Sequence, residues 1–525
     1  MRETTPTKAG TAAIGYHADT SHTEARLRAD RHYLDWPNKP IPFKLYRSLE
    51  SVPLPADAVT LTATDTPAIE AIGPGTGGNA RGLDLKTLAR LLFLGAGITK
   101  RKSYPGGEVY FRAYPNTGAL YHVDLYVVNG AIDHLPAGVW HFGPNDFALH
   151  RLRDGDYRRT LIEASGDYGR VANASAVLVS ASTYWRNAWK YRARAYRHCF
   201  WDAGTMLANL LSIAGIEHLN PCLVMGFADN EVEALLGLDP MREGALALLP
   251  IGISDSPAPE SPPLETREFE TEPLSPSEID YPAIRAVHAA TSLGDGAAAA
   301  GWHGEAPPCA EPPAGAPVQP LEPLDRESLP RRSIAEVIVR RGSTRAFDRQ
   351  RAIGFDQLST LLSVASDPLA ADFLGAERST LVELYLIVNA VHGLEPGSYY
   401  FHRAARGLEL LESGQFRARA GHLGLDQELP ADAAVNVYAL CALGPVVERF
   451  GDRGYRAAQM EGGILGGRLY LAAYALGLGA TGLTFFDEEV IAFFSPHAAG
   501  KDVMFLTAIG HADRSRLRPQ GVARS

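Results

Sequence analysis

The segment "VDLYVV" at Val123 returns as "VELYLI" at Val382, 259 positions later (382 − 123). "LPAGVWHF" at Leu135 returns as "LEPGSYYF" at Leu394, again 259 on (394 − 135). "FALHRLRDGDYR" at Phe147 and "WKYRARAYR" at Trp189 have counterparts at Arg406 and Glu448, with the same spacing (406 − 147, 448 − 189). A constant offset with apolar positions in phase means that one domain is written twice in the chain. A period this long excludes a solenoid, whose units are a few tens of residues.

Between the copies the composition changes. "SDSPAPESPPLE" and "APPCAEPPAGAPVQPLEPLDRESLP" are rich in proline and acid. Such sequence buries too little apolar area to offset its ordering entropy, so residues 254–331 are expected to form an extended or mobile linker. The predicted order is an N-terminal extension (1–79), a first domain (80–253), the linker (254–331) and a second domain (332–525).

Within a copy, "LDLKTLARLLFLGAG" has an Asp cap, helical apolar spacing and a glycine stop, so it predicts a helix. "GVWHFGPNDFALHRL" predicts two strands around a turn. "SAVLVSAS" and "GALALLPIGIS" predict buried strands, and "CFWDAGTMLANLLSIAGI" a core helix. Helices and hairpins mix without regular βαβ alternation, which predicts an α+β fold.

The 525 residues carry a formal charge of −10, which argues against nucleic acid or an anionic membrane as the main partner. Cys199, Cys222, Cys309 and Cys441 are far apart, with no metal-ligand spacing, so no metal is expected. So few thiols fit a reducing compartment. No run approaches the roughly 18 apolar residues of a membrane span, and the first residues lack a signal-peptide core. The expectation is a soluble cytoplasmic protein.

Four stretches carry candidate chemistry. "VIVRRGSTRAF" at Val337 sets Arg340, Arg341 and Arg345 around Ser343 on a turn, the donor set of a phosphate site. "FRAYPNTGALYHVDLY" offers the small polar loop Pro115, Asn116, Thr117, Gly118 and Leu120 at a strand edge. "LGLGATGLTFFDEEV" passes from a helix end through Gly479, Ala480, Thr481 and Gly482. "WKYRARAYRHCFWD" joins Lys190 and Tyr191 to a run of arginines, which suits a proton-transfer pair. Taken singly, each also reads as an ordinary turn, cap or charged surface.

Taken together they resemble the nitroreductase superfamily, in its SagB-type branch with the azoline oxidases of ribosomal peptide biosynthesis. The resemblance covers roughly residues 80–253 and 332–513, and "YHADTSHTEARLR" and "LDWPNKPIPFKLY" resemble the opening of that branch. It implies FMN held between two subunits. Arg341, Ser343 and Arg345 match the motif for the flavin phosphate and pyrimidine edge. Gly342 departs from that motif, so Arg340 is an alternative to Arg341. Pro115, Asn116, Thr117, Gly118 and Leu120 match the motif that reaches the flavin from the other subunit. Ala480, Thr481 and Gly482 resemble the turn over the ring, and Lys190 and Tyr191 the pair that handles protons in azoline oxidation.

Each copy has lost what the other keeps. The first lacks the Arg-Ser-Arg entry. The second has "ERSTLVELY" in place of the Pro-Asn-Thr-Gly loop, and Arg449 and Phe450 in place of the Lys-Tyr pair. The expectation is an intrachain pseudo-dimer, monomeric or further dimerised, with one composite FMN site. Its substrate would be a peptide or small molecule, and enzymes of a biosynthetic cluster its partners. Rival readings are an NAD(P)H-dependent nitro or quinone reductase and a flavin-free scaffold.

Overall fold

The computed structural model describes residues 11–60, 66–73, 80–104, 107–306, 312, 314–375, 379–513 and 515–516. Two antiparallel sheets form its frame. The first runs, edge to edge, Ser51–Pro53, Ala148–Asp154, Gly138–Gly143, Val123–Asn129, Ala176–Thr183 and Glu243–Ile251. The second runs Gly479–Gly482, Asp502–Gly510, Val435–Cys441, Glu383–Val388, Gly397–His402, Gly407–Ser413 and Val318–Pro320. The repeat survives in three dimensions: the Ala176 and Glu243 strands recur at Val435 and Asp502 with the same spacing (435 − 176, 502 − 243). Each sheet has a short edge strand ending in proline, Pro53 or Pro320, drawn from outside its own copy. Proline lacks the N–H that a further strand would need, so an edge suits it.

The two halves meet along the central helices Ala195–Ile216 and Arg453–Ala475. A Cβ on Gly204 would stand 2.7 Å from the backbone of Gly463, its own repeat partner (463 − 204 = 259). One turn on, a Cβ on Gly467 would stand 2.6 Å from that of Ala208, also its repeat partner (467 − 208 = 259). Contact between equivalent positions marks a two-fold axis, and only small side chains let the backbones come this close. The charges are reciprocal too. Arg194 and Arg197 reach Asp487 at 3.1 and 2.6 Å, and Arg453 and Arg456 reach Asp229, both at 2.5 Å. The arginine pairs are themselves repeat equivalents (453 − 194, 456 − 197). All six groups are buried. The chain is therefore an α+β pseudo-dimer, as the repeat predicts.

The stretch Tyr184–Ile216 is long and apolar enough to cross a membrane, but 89% of that apolar window is buried in the joint.

The expected extended linker holds for residues 254–281, which are mostly exposed and form no helix, but the segment beyond them is built into the body. Its described residues form the helices Pro282–Ala290 and Gly296–Trp302 as well as the Val318–Pro320 strand. Leu274, Ile284, Val287 and Trp302 are in the core. The prolines at both ends dominate the average composition and hide "YPAIRAVHAATSLGDGAAAAGW" between them. There Pro282 opens a helix with Ile284, Val287 and His288 on one face, and Asp295 caps the next by accepting from Ala298 N at 2.8 Å. Cys309 lies outside the described residues.

Candidate active site

The stretch at Val337 is a helix, Ile334–Arg340, running into extended chain. Ser333 caps it, with Glu336 closing a capping box. Where the helix ends the two arginines diverge. Arg340 is exposed, 3.8 Å from Glu336 on its own helix. Arg341 turns into the joint and donates to the carbonyls of Ala113 and Arg112 at 3.0 and 2.9 Å, across the boundary between halves. The geometry therefore favours Arg341 over Arg340 as the inward cation. Ser343 Oγ lies 3.3 Å from the Tyr470 hydroxyl, and Thr344 Oγ1 the same distance from that of Tyr474. Thr344 N donates to Ala480 O at 2.9 Å. Gly479–Gly482 is the edge strand of its sheet, and a Cβ on Gly479 would collide with Thr344 Oγ1.

The Pro115 loop is held from beneath by Asp202, a buried carboxylate on the first central helix. It accepts from Asn116 Nδ2 at 2.8 Å, Thr117 N at 3.0 Å, Thr117 Oγ1 at 2.8 Å and His122 Nε2 at 2.8 Å. Asn116 Oδ1 closes the turn by accepting from Leu120 N and Tyr121 N at 3.0 and 2.7 Å. Thr205 Oγ1 donates to Pro115 O at 2.7 Å. The polar side chains of the loop thus serve the loop itself, and what it presents outward is backbone. Gly118 has φ +65° and faces Tyr191, whose hydroxyl would be 3.0 Å from a Cβ there.

Lys190 and Tyr191 end the helix Tyr184–Tyr191. Their sequence neighbours point away: Arg192 pairs with Asp30, and Arg194 and Arg197 with Asp487. The cations that act on Lys190 are instead Arg345, from the other half, and Lys39. Partial burial, then Arg345, then Lys39 lower its pKa below the usual lysine value. Burial, then Asp202, raise that of Tyr191, against the pull of Arg345. The Tyr191 ring meets the edge of buried His198 at 4.5 Å, and burial keeps that imidazole neutral. Among the described residues, no ion pair is made by Lys39, Lys190, Arg341 or Arg345. Guanidinium, ammonium and hydroxyl groups without a carboxylate partner fit the phosphate end of FMN, and a tight loop with outward backbone fits a flat ring.

The structure brings Arg341, Ser343, Arg345, Pro115–Leu120, Lys190, Tyr191 and Ala480–Gly482 to one seam between the halves and leaves Arg340 outside. Sequence reading missed Asp202, His122, Tyr470, Tyr474 and Lys39. A buried Asp in an otherwise apolar helix was the available signal for the first.

The pseudo-symmetric counterpart of this seam is closed. Phe450, at the Tyr191 position (450 − 191 = 259), packs on Trp302 from the linker, with ring centroids 5.1 Å apart. Trp302 Nε1 donates to Phe450 O at 2.9 Å, and its ring also meets Phe373. His303 beside it bonds Asp372 at 3.0 Å and Ser165 O at 2.8 Å.

A model of the nitroreductase family matches residues 79–253 and 338–511. The crystal structure of a nitroreductase-family protein from Anabaena variabilis superimposes with a TM-score of 0.77 at 27% identity, covering 96% of this chain and all of that one. MJ1384 of Methanocaldococcus jannaschii, named for the same family, is 27% identical over 170 residues, which are 32% of this chain and 81% of that protein. The trifolitoxin-processing protein TfxB of Rhizobium leguminosarum bv. trifolii is 29% identical over 177 residues, 32% of this chain and 46% of its own. The microcin B17-processing protein McbC of Escherichia coli is 26% identical over 162, 30% and 57%. The chain thus spans about half the length of these two processing proteins, and the likeness agrees with the SagB-type resemblance of the motifs. With one matched segment in each half, together more than half of its length, the chain is a tandem-domain member of the nitroreductase family.

Proposed function

We propose that the chain is an FMN-dependent dehydrogenase or oxidase of a peptide-derived or other natural-product substrate, with azoline-to-azole oxidation as the nearest analogy. The observation that carries this reading is that Arg345 of the second half lies near enough to Lys190 and Tyr191 of the first for its charge to act on both. One half supplies the anion grip and the other the proton chemistry. FMN, when bound, supplies a two-electron acceptor. Arg341, Arg345 and Ser343 hold its phosphate end. The Pro115–Leu120 loop and Ala480–Gly482 enclose the rest and exclude water.

Dehydrogenation removes a hydride and a proton from the substrate. Tyr191 holds its own proton too firmly to accept another group's at neutral pH. Lys190 is shifted the other way, which favours it over Tyr191 as the proton acceptor of the pair and leaves Tyr191 as a hydrogen-bond donor that orients the substrate. The processing roles in the names of TfxB and McbC support a peptide-derived substrate.

The test is a pair of variants. Lys190→Ala and Tyr191→Phe are expected to keep flavin and fold, and to lose about 10²–10⁴-fold and a smaller factor of turnover respectively. A surrogate thiazoline peptide serves as substrate. Wild-type rates in both variants would remove the pair from the mechanism. Stoichiometric flavin reduction by NAD(P)H alone would favour a reductase instead.

A further inference from the structure

Resting on that reading, we propose that the mouth of the composite site is built for an acidic peptide segment. Trp36 is the platform for its apolar part, and Lys39 receives its carboxylates. Trp36 is 63% exposed, in a chain whose other tryptophans are all buried. It is not a loose side chain. It opens the tight turn Trp36–Asn38, stiffened by Pro37, with Lys39 N donating back to Trp36 O at 3.1 Å. Asn38 is buried, and its Oδ1 accepts from Ser277 N at 3.0 Å. Trp189 supports the ring edge-on at 5.4 Å, and its own Nε1 donates to Asp35 O at 2.9 Å. The residue after Trp189 is Lys190. An anchored, largely exposed aromatic is therefore held at the lip beside the proton acceptor.

The charge points the same way. Many surface cations are paired, as Arg47 is with Glu272, Lys86 with Asp57 and Arg285 with Asp280. Lys39, whose Nζ stands 5.9 Å from the Trp36 ring centroid, makes no ion pair among the described residues, and neither does Lys190. The chain as a whole is at −10, so general solubility does not call for unpaired lysines here. With Arg345 given to the cofactor phosphate, Lys39 is the cation left for the substrate. A carboxylate against the Lys39 ammonium gains charge-assisted hydrogen bonds, and an apolar side chain on the indole sheds water from both.

The test uses the full chain loaded with FMN. The probe is a fluorescein-labelled hexapeptide bearing one thiazoline and two glutamates, against its counterpart with two glutamines, read by anisotropy. The acidic peptide is expected to bind about tenfold more tightly at low salt, and the margin to shrink as salt screens it. Lys39→Gln should abolish the preference, Lys39→Arg restore it, and Trp36→Ala weaken both peptides about fivefold or more. Equal affinities for the two peptides, no measurable binding of either, or wild-type behaviour of Trp36→Ala and Lys39→Gln would each overturn the proposal. Flavin content is measured on every sample. A wild-type chain that holds no FMN refutes the dehydrogenase reading while the peptide comparison still reports on the mouth. Full flavin without discrimination refutes the mouth alone.

Discussion

Replacing Asp202 by asparagine changes one charge and almost no volume, and it separates the site from the fold. Four donors converge on this carboxylate, from Asn116, Thr117 twice, and His122. An amide has one acceptor end. If its NH2 takes the Oδ2 position it faces Asn116 Nδ2 and His122 Nε2, leaving a buried donor unpaired. If it takes the Oδ1 position, the Thr117 hydroxyl can rotate to accept, and Thr117 N retains the other oxygen at 3.1 Å. The second orientation costs less, but it still turns charge-assisted hydrogen bonds into neutral ones. A hydrogen bond to a charged group contributes about 1.5–3 kcal/mol and a neutral one about 0.5–1.5, so three or four such bonds lose on the order of 2–4 kcal/mol. Because these bonds shape the loop that faces Tyr191, much of that loss is expected in cofactor affinity, on the order of ten- to a hundredfold in Kd. The control is built into the repeat. Glu461 occupies the Asp202 position of the other half (461 − 202 = 259) and holds Thr380 and Leu381 in the same manner. Glu461→Gln should leave FMN affinity within about twofold. The measurements are FMN titration by fluorescence quenching, turnover and Tm. Wild-type flavin affinity and turnover in Asp202→Asn would refute the argument, as would equal losses in both variants.

Two further outcomes follow from the charges. Arg345→Ala should lower FMN affinity roughly tenfold or more, as expected for loss of a charged donor, whereas the exposed Arg351→Ala should not; equal affinities would return the stretch to a solvated turn. Asp487 is destabilised by burial as an anion, but Arg194 and Arg197 outweigh this and hold its pKa well below the ordinary 3.8. Its contribution to stability is therefore complete above about pH 4 and lost as pH falls through the lowered value, so Tm measured from pH 5 down to about 2.5 should fall. Asp487→Asn, which strands two buried arginines, should cost about 3–5 kcal/mol at neutral pH and flatten that fall; an unchanged slope would remove the pair from the acid response.

The fold was legible because its signals are repeated. The same apolar phase at Val123 and Val382 leaves little freedom in the sheets, and a duplicated domain has to bury the same face twice. The seam was legible in its ingredients, since Arg345 and Lys190 each stand in a recognisable motif, but not in its assembly. Nothing in "WKYRARAYR" tells that Arg194 and Arg197 serve the joint while Lys190 answers to a cation 155 positions away (345 − 190). That depends on which helix face meets the other half, and spacing along one helix does not encode it. The folded linker escaped because proline and acid averaged over 254–331 mask the short periodic run from Pro282 to Trp302. Asp202 was hidden for the converse reason: one carboxylate in an apolar helix leaves no periodic trace.

On the composite-site proposal, fusion of two copies accounts for the divergence of the halves. In a symmetric dimer one sequence must furnish both the anion grip and the loop with its Lys-Tyr pair, because every subunit contributes to both sites. Once the copies share a chain, each role needs to be kept only once, and the second seam is free to become core. Trp302 and Phe450 fit that change: two aromatic rings packed together where Tyr191 and its surroundings stand on the other side. Each buried aromatic removes about 150–250 Å² from water. On the composite-site proposal, the second seam is therefore held shut by packing as well as by lost motifs. Restoring the pair with Arg449→Lys and Phe450→Tyr should then leave flavin content near one per chain, since Trp302 still fills the seam and no Arg-Ser-Arg entry faces it. Adding Trp302→Ala opens a hole and costs about 3–5 kcal/mol, again without a second equivalent of flavin. Released FMN counted against protein by absorbance decides this: a value near two per chain, in the wild type or in either variant, would refute the composite site.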